Sequence, residues 1–204
     1  MKKYELTTET LQFAGRALHR IKAVKDFGSI KAGELGGWVE NEKNLSQYGN
    51  AWIYDEAMAF DNAKVYGNAK ILGNAKVYDN AKVYDNAKVY DNARVYDNAN
   101  IYDYAEVYGN VIICGNVIIC GNATIKGDAK VHLNVDYIVF KNFWSSGRYF
   151  TWTRSNNKWS VGCFYGTGEE LIKKAYDDSE KSGREYERVV RYVESILTDE
   201  KKEK

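Results

Sequence analysis

From Trp52 to Val135 the chain repeats itself every six residues, and a period that short leaves few folds open. An aliphatic residue recurs at Ile53, Val65, Ile71, Val77, Val83, Val89, Val95, Ile101, Val107, Ile113, Ile119, Ile125 and Val131, with Ala59 alone out of type. Two places before each stands a small or β-branched residue, usually alanine, as at Ala63, Ala75, Ala87 and Ala99. Lysine and tyrosine take the alternate places in most units, and Asp or Gly followed by Asn closes them. Period-two alternation points Ala and Val inward and Lys and Tyr outward. The Asp/Gly-Asn pair is corner chemistry, with asparagine expected to accept the left-handed backbone region. Proline is absent from the whole chain, so every corner must come from Gly, Asn or Asp.

A short strand and a two-residue corner, repeated, suit a triangular prism with three units per coil. Residues 18 apart then stack at ~4.8 Å, the spacing of paired strands. Tyr66 lies under Tyr84 and Tyr102, Tyr78 under Tyr96, and Tyr90 under Tyr108, while Asn62, Asn80 and Asn98 form an amide ladder. The expected fold is mainly β: a parallel triangular β-helix over 52–135, an N-terminal β cap over 1–51, and a small α+β domain over 136–204.

The cap is read from LQFAGRALHRIKAVKDF, a β-hairpin around Ala14-Gly15, followed by GELGGWVE leading into the first coil. In the terminal domain YIVFKNF (137–143) and RYFTWTR (148–154) are strands, and Asn156-Asn157 turns the latter into KWSVGCF. Thr167 with Glu170 and Ser182 with Glu185 each fit a capping box, so two helices are expected to start there. The second carries an apolar stripe of Tyr186, Val189, Val190, Val193, Ile196 and Leu197, and the tail TDEKKEK is expected to fray.

A face built of identical units offers no unique place for a reaction. Breaks in the repeat therefore matter most. VIICGNVIIC sets Ile112, Cys114, Ile118 and Cys120 at outward positions, an apolar patch expected to meet the terminal segment or another copy of the chain. Cys114 and Cys120 fall on neighbouring sides of the prism, so a disulfide between them is not expected. The terminal domain gathers Trp144, Tyr149, Phe150, Trp152, Trp159, Phe164 and Tyr165. Phe150 and Trp152 are expected under the helices. Arg148, Tyr149, Trp152, Arg154 and Trp159 are the binding-surface candidates, because Tyr, Trp and Arg dominate binding hot spots.

The formal charge of +1 and a repeat holding eight Lys/Arg against ten Asp/Glu argue against a nucleic-acid groove. No apolar run is long enough to span a bilayer, and MKKYELTTET lacks the apolar stretch of a signal peptide. With three cysteines in no metal or disulfide pattern, a cytoplasmic protein is expected, without metal or cofactor. Only two histidines occur, His19 in the hairpin and His132 in the last repeat at a place otherwise held by tyrosine. His132 is the one weak catalytic candidate, with no partner carboxylate legible beside it.

Hexapeptide-repeat acyltransferases resemble this chain in period and coil. They are typically trimers with a histidine base between subunits and an acyl-CoA donor. This chain departs from them in carrying Tyr, where they have a small residue after the aliphatic one. Ile21 to Phe60, IKAVKDFGSIKAGELGGWVENEKNLSQYGNAWIYDEAMAF, resembles a bacterial and phage family of hexapeptide-repeat proteins labelled transferases or polymer-forming proteins, of unestablished activity. SVGCFYGTGEELIKKA, Ser160 to Ala175, is similar to a C-terminal module of phage and prophage proteins. The resemblance implies a left-handed β-helix and a phage or prophage setting, and carries no catalytic residue with it. Three functions stay open. The expected one is a non-enzymatic protein-binding or scaffold role, as a homo-oligomer or against a host protein such as a defence enzyme. The alternatives are an acyl-CoA-dependent acyltransferase and a self-assembling structural protein.

Overall fold

A computed structural model describes residues 2–142 and 147–202. Phe143 and Trp144, expected within a strand and an aromatic cluster, lie outside the described residues, as do the tail residues Glu203 and Lys204.

Strands β1 (Tyr4–Phe13) and β2 (Arg16–Ala23) form the expected hairpin. Its two-residue turn is Ala14-Gly15, both left-handed at φ 50° and 76°, the geometry that matches strand twist. β3 (Leu35–Val39) pairs antiparallel with β2 and parallel with the first coil, so the hairpin extends one face of the prism. Fourteen two-residue strands, β4 to β17, then begin every six residues from Trp52–Ile53 to Lys130–Val131.

They stack in three faces. The first runs β3-β5-β8-β11-β14-β17 and carries the hairpin, the second β4-β7-β10-β13-β16, and the third β6-β9-β12-β15. From β4 to β17 every pairing between neighbouring coils is parallel and in register at 18 residues, as for Lys76 with Arg94 and Val77 with Val95. The chain is thus a parallel β-solenoid of about five coils, filled by alternating small and branched side chains from Ala51 to Val131.

The outer columns form as the period predicts. Ring centroids lie 4.7 Å apart for Tyr66/Tyr84, 4.8 Å for Tyr78/Tyr96, 4.9 Å for Tyr84/Tyr102 and 4.4 Å for Tyr90/Tyr108. Amide ladders join Asn50, Asn68 and Asn86, and Asn62 with Asn80. The corner backbone differs from expectation. The left-handed residue is the Asp or Gly, as at Asp85 (φ 55°) and Gly67 (φ 70°), and not the asparagine. Aspartate suits that place because its carboxylate accepts an N–H from the coil above, as Asp97 does from Gly115 at 2.9 Å. The asparagine side chain is thereby left free to bond its own column.

A solenoid ends in unpaired backbone groups, carbonyls at one end and N–H groups at the other. At the N-terminal end Asn44 Nδ2 donates to the carbonyls of Asp61 and Ala63, and Lys3 Nζ to that of Ala51. At the C-terminal end side-chain oxygens accept one N–H from each face. Asn134 takes that of Ile118 (2.8 Å), Thr151 that of Thr124 (2.9 Å) and Ser155 that of Lys130 (2.7 Å).

The terminal domain that supplies two of these oxygens is an antiparallel sheet of β18 (Tyr137–Lys141), β19 (Tyr149–Thr153), β20 (Lys158–Val161) and β21 (Phe164–Gly166), covered by α1 (Gly168–Asp178) and α2 (Glu180–Lys202). Phe150, Trp152, Trp159, Val161, Leu171 and Val190 form its core. Thr167 and Glu170 close the expected capping box on α1. α2 starts earlier than the sequence suggests. Ser182 lies inside it, and the cap is Ser179, whose hydroxyl accepts the Ser182 N–H at 3.1 Å. The described part of the tail continues α2.

Candidate functional site

On the first face one outward column reads Phe60, Tyr78, Tyr96, Cys114, His132, each 18 residues from the next. The lower three stack as aromatic rings, at 5.0 Å for Phe60/Tyr78 and 4.8 Å for Tyr78/Tyr96. The upper two are a thiol and an imidazole in place of phenyl and phenol rings. Cys114 Sγ and His132 Nδ1 lie 2.7 Å apart. Cys114 is buried and His132 exposed. Below the pair, contact with the thiol pushes the Tyr96 phenol up to about 12. The backbone under His132 is held by Asp136, whose Oδ2 accepts the N–H groups of both His132 and Leu133 at 2.9 Å. A thiol in hydrogen-bond reach of an imidazole can pass its proton to the ring and become a thiolate, the nucleophilic form of cysteine.

The sequence suggests separate roles for these two residues, His132 as a weak base and Cys114 as a contact residue. Their separation of 18 is one coil, and that spacing is the signal that unites them.

Two coils toward the N-terminus, the tip of the hairpin overhangs the same face. It walls a cavity of about 340 Å³ with Phe13, Arg16, Phe60, Lys76, Tyr78 and Arg94 among its lining. Arg16 pairs with Asp61 at 2.5 Å and lies over the Phe60 ring, and Lys76 Nζ lies 5.6 Å over the ring of Phe13. Lys76 and Arg94 are register partners on adjacent coils. Burial, and then repulsion by Arg94, lower the Lys76 pKa. Asp61 and Asp79 also line it against Arg16, Lys76 and Arg94, so the cavity is aromatic with a small excess of positive charge, which suits an anion carrying a planar group.

The terminal-domain candidates separate. Trp152 is buried at 1% exposure in the domain core, under the helices as expected, and Trp159 joins it at 2%, so neither is a surface anchor for a partner. Trp152 donates its Nε1–H to Asn157 inside the domain. The strand face opposite Phe150 and Trp152 is no free surface either, because Thr151 and Thr153 are buried and Thr151 bonds the solenoid. Arg154 turns back to the carbonyl of Val135. Arg148 is exposed and Tyr149 half-buried, and with Tyr104, Glu106, Asn122 and Thr124 they line an open groove of about 310 Å³ between domain and solenoid.

The four residues of the apolar patch also divide. Ile112 and Cys114 lie on the first face, Ile118 and Cys120 on the third. They make no single surface: Cys114 is buried, Ile112 and Cys120 are half-buried, and Ile118 is 42% exposed. Cys120 sits against Tyr102, whose phenol it pushes up to about 12. All three cysteines are free. Among the described residues no three His, Cys, Asp or Glu side chains converge on a metal-sized site, and no helix is long and apolar enough to cross a membrane.

No family model matches the chain. Among curated proteins, an "Uncharacterized acetyltransferase YdcK" of Escherichia coli (strain K12) is 39% identical over 64 residues. The match covers 28% of this chain and 20% of that protein, so the chain spans about a fifth of the length of the relative it resembles.

Proposed function

We propose that this solenoid is a transferase of the hexapeptide-repeat type, moving an acyl group from an acyl thioester to a small acceptor. The observation that carries this reading is the Cys114–His132 contact on the face that also bears the aromatic cavity lined by Lys76 and Arg94. His132 breaks the tyrosine column and presents an imidazole to solvent, as a general base requires. Lys76 and Arg94 would hold the anionic part of a donor such as acyl-CoA, with its planar base against Phe13. The relative's designation as an acetyltransferase supports the same reaction class. Tyrosine in the repeat and a single solenoid histidine, the departures from the hexapeptide-repeat acyltransferases, would then limit the chain to one site per copy.

The reading is tested by thiol release from acetyl-CoA with a panel of amine and hydroxyl acceptors, alongside calorimetric titration with CoA. Turnover that falls at least a hundredfold in His132→Ala supports it, and a chain that neither binds CoA nor releases thiol refutes it. Native mass spectrometry on the same samples reads the copy number, which a trimer with sites between subunits would set at three.

A second reading, binding to a host or self protein, rests on the groove where exposed Tyr104 and Arg148 flank Tyr149. Capture of a stoichiometric partner that is lost in Tyr104→Ala with Tyr149→Ala would favour it.

A further inference from the structure

We propose that Cys114 is the nucleophile of this site and carries the acyl group as a thioester between donor and acceptor. The proposal rests on the acyl-transfer reading and adds a covalent step to it.

The geometry assigns the step to sulfur. His132 Nδ1, the ring nitrogen nearer the chain, faces Cys114 Sγ at 2.7 Å, so the proton within its reach is the thiol's. Tyr96 lies one coil below on the same column. A thiolate formed there would be paired with the His132 imidazolium above it. The other free cysteines are not so placed. Cys120 has Tyr102 below it but the phenol of Tyr137 above, and Cys163 is exposed on the terminal domain. Backbone position is fixed on both coils: Cys114 N–H bonds the carbonyl of Val131, and His132 N–H bonds Asp136. The sulfur is shielded from bulk water, with Cys114 only 6% exposed. His132, exposed beside it, lies on the side of the sulfur that faces solvent.

The step balances without an oxidant or metal. His132 Nδ1 takes the Cys114 proton, and the thiolate adds to the carbonyl of an acyl thioester. The tetrahedral intermediate collapses with cleavage of the donor C–S bond, and the departing thiolate takes the proton from His132. In the second half an amine or hydroxyl acceptor gives its proton to His132 and attacks acyl-Cys114. The acyl bond to the acceptor forms, and Cys114 leaves as thiolate and is reprotonated by His132. Thioester replaces thioester in the first half, so its equilibrium is near balance, and the acceptor drives the second.

The test is intact-mass and peptide mapping of the full chain after incubation with acetyl-CoA and, separately, with S-acetyl-N-acetylcysteamine, without acceptor. The expected result is one acetyl group on Cys114 that neutral hydroxylamine removes, with Cys120 and Cys163 as internal controls. In His132→Ala, adduct formation should slow at least tenfold near neutrality and recover at high pH, where the thiol ionises unaided; a purely structural histidine would give no such pH rescue. Label on exposed Cys163 but not Cys114 overturns the proposal. So does acetyl transfer at an undiminished rate in Cys114→Ala, an outcome that leaves the transferase reading standing. Neither adduct nor transfer overturns both. Cys114→Ser, which keeps the side chain's size, serves if the alanine variant fails to fold.

Discussion

Thr151 Oγ1 accepts the backbone N–H of Thr124 at 2.9 Å, and through that bond the terminal domain closes the open edge of the solenoid's second face. The hydroxyl thus stands where the next coil's carbonyl would stand. Thr151→Val keeps the shape and removes the acceptor. We expect it to cost about 1–3 kcal/mol, the penalty for a buried donor left unpaired. Hydrogen exchange checks this: the Thr124 amide should lose protection in the variant, while amides two coils lower keep theirs. Unchanged protection at Thr124 would mean the edge is closed by something other than this hydroxyl.

Gly127 controls the same junction from the solenoid side. Its φ is +76°, and a Cβ there would collide with the Tyr165 hydroxyl and fall 2.5 Å from its ring. Tyr165 donates to the carbonyl of Lys126 at 3.2 Å and accepts from Asn156 at 3.1 Å, so displacing it breaks the docking. Gly121, at φ +67°, has nothing within 4 Å of the place a methyl would take, and so isolates the backbone cost. Gly121→Ala should lose about 1–2 kcal/mol from the left-handed conformation alone. Gly127→Ala should lose more than that in urea titration, with faster proteolysis between the two domains. Equal losses for the two variants would show that Tyr165 moves aside without penalty.

What is legible in the sequence depends on whether the pattern is local. Val65, Val83 and Ile101 mark their strands because each sits at the same phase of a six-residue unit, and the stacking of Tyr66 on Tyr84 follows by counting 18. The pairing of Cys114 with His132 obeys the same count. It escapes a reading by residue type, which sees a cysteine in an apolar run and a histidine on a surface before placing both on one column. Trp159 is not legible in that way. An aromatic on an amphipathic strand can face helices or solvent, and only docking against α1 and α2 decides it. The groove beside Arg148 and Tyr149 arises where the terminal domain meets the solenoid, and no period in either segment encodes that contact. The corner asparagines mislead for a physical reason: Asp and Asn both tolerate the left-handed region, and the carboxylate's bond to the coil above breaks the tie.

Tyr84 stacks on both neighbours, Tyr66 at 4.7 Å and Tyr102 at 4.9 Å. Each such contact is worth about 0.5–1.5 kcal/mol beyond the area it buries. Tyr84→Ala should therefore destabilise by roughly 1–3 kcal/mol. Tyr104→Ala, at a corner where the ring is 64% exposed, should change stability by less than about 0.5 kcal/mol. Equilibrium denaturation of the pair decides whether the tyrosine columns stabilise the prism or merely decorate it, and equal effects would dismiss the stacking contribution.

Lys3 makes the fold's stability depend on pH in a direction opposite to that of its tyrosines. Its side chain is 1% exposed, with Nζ donating to the carbonyl of Ala51 at 2.9 Å and lying 5.0 Å over the Phe27 ring. Burial, with repulsion from Lys25, lowers its pKa from 10.5 to about 8. Between those values the unfolded chain holds the proton and the folded one does not, so stability rises with pH across that window. The gain is on the order of 3 kcal/mol. Above pH 10 the sign reverses, because burial raises the phenols of Tyr4, Tyr90 and Tyr137, and the folded state then holds the protons. Stability should accordingly peak near pH 10. In Lys3→Met the rise between pH 8 and 10 should vanish while the fall above pH 10 stays, measured by urea titration at half-unit steps. A rise that survives the substitution would assign it to another lysine, with Lys76 beside Arg94 the next to replace.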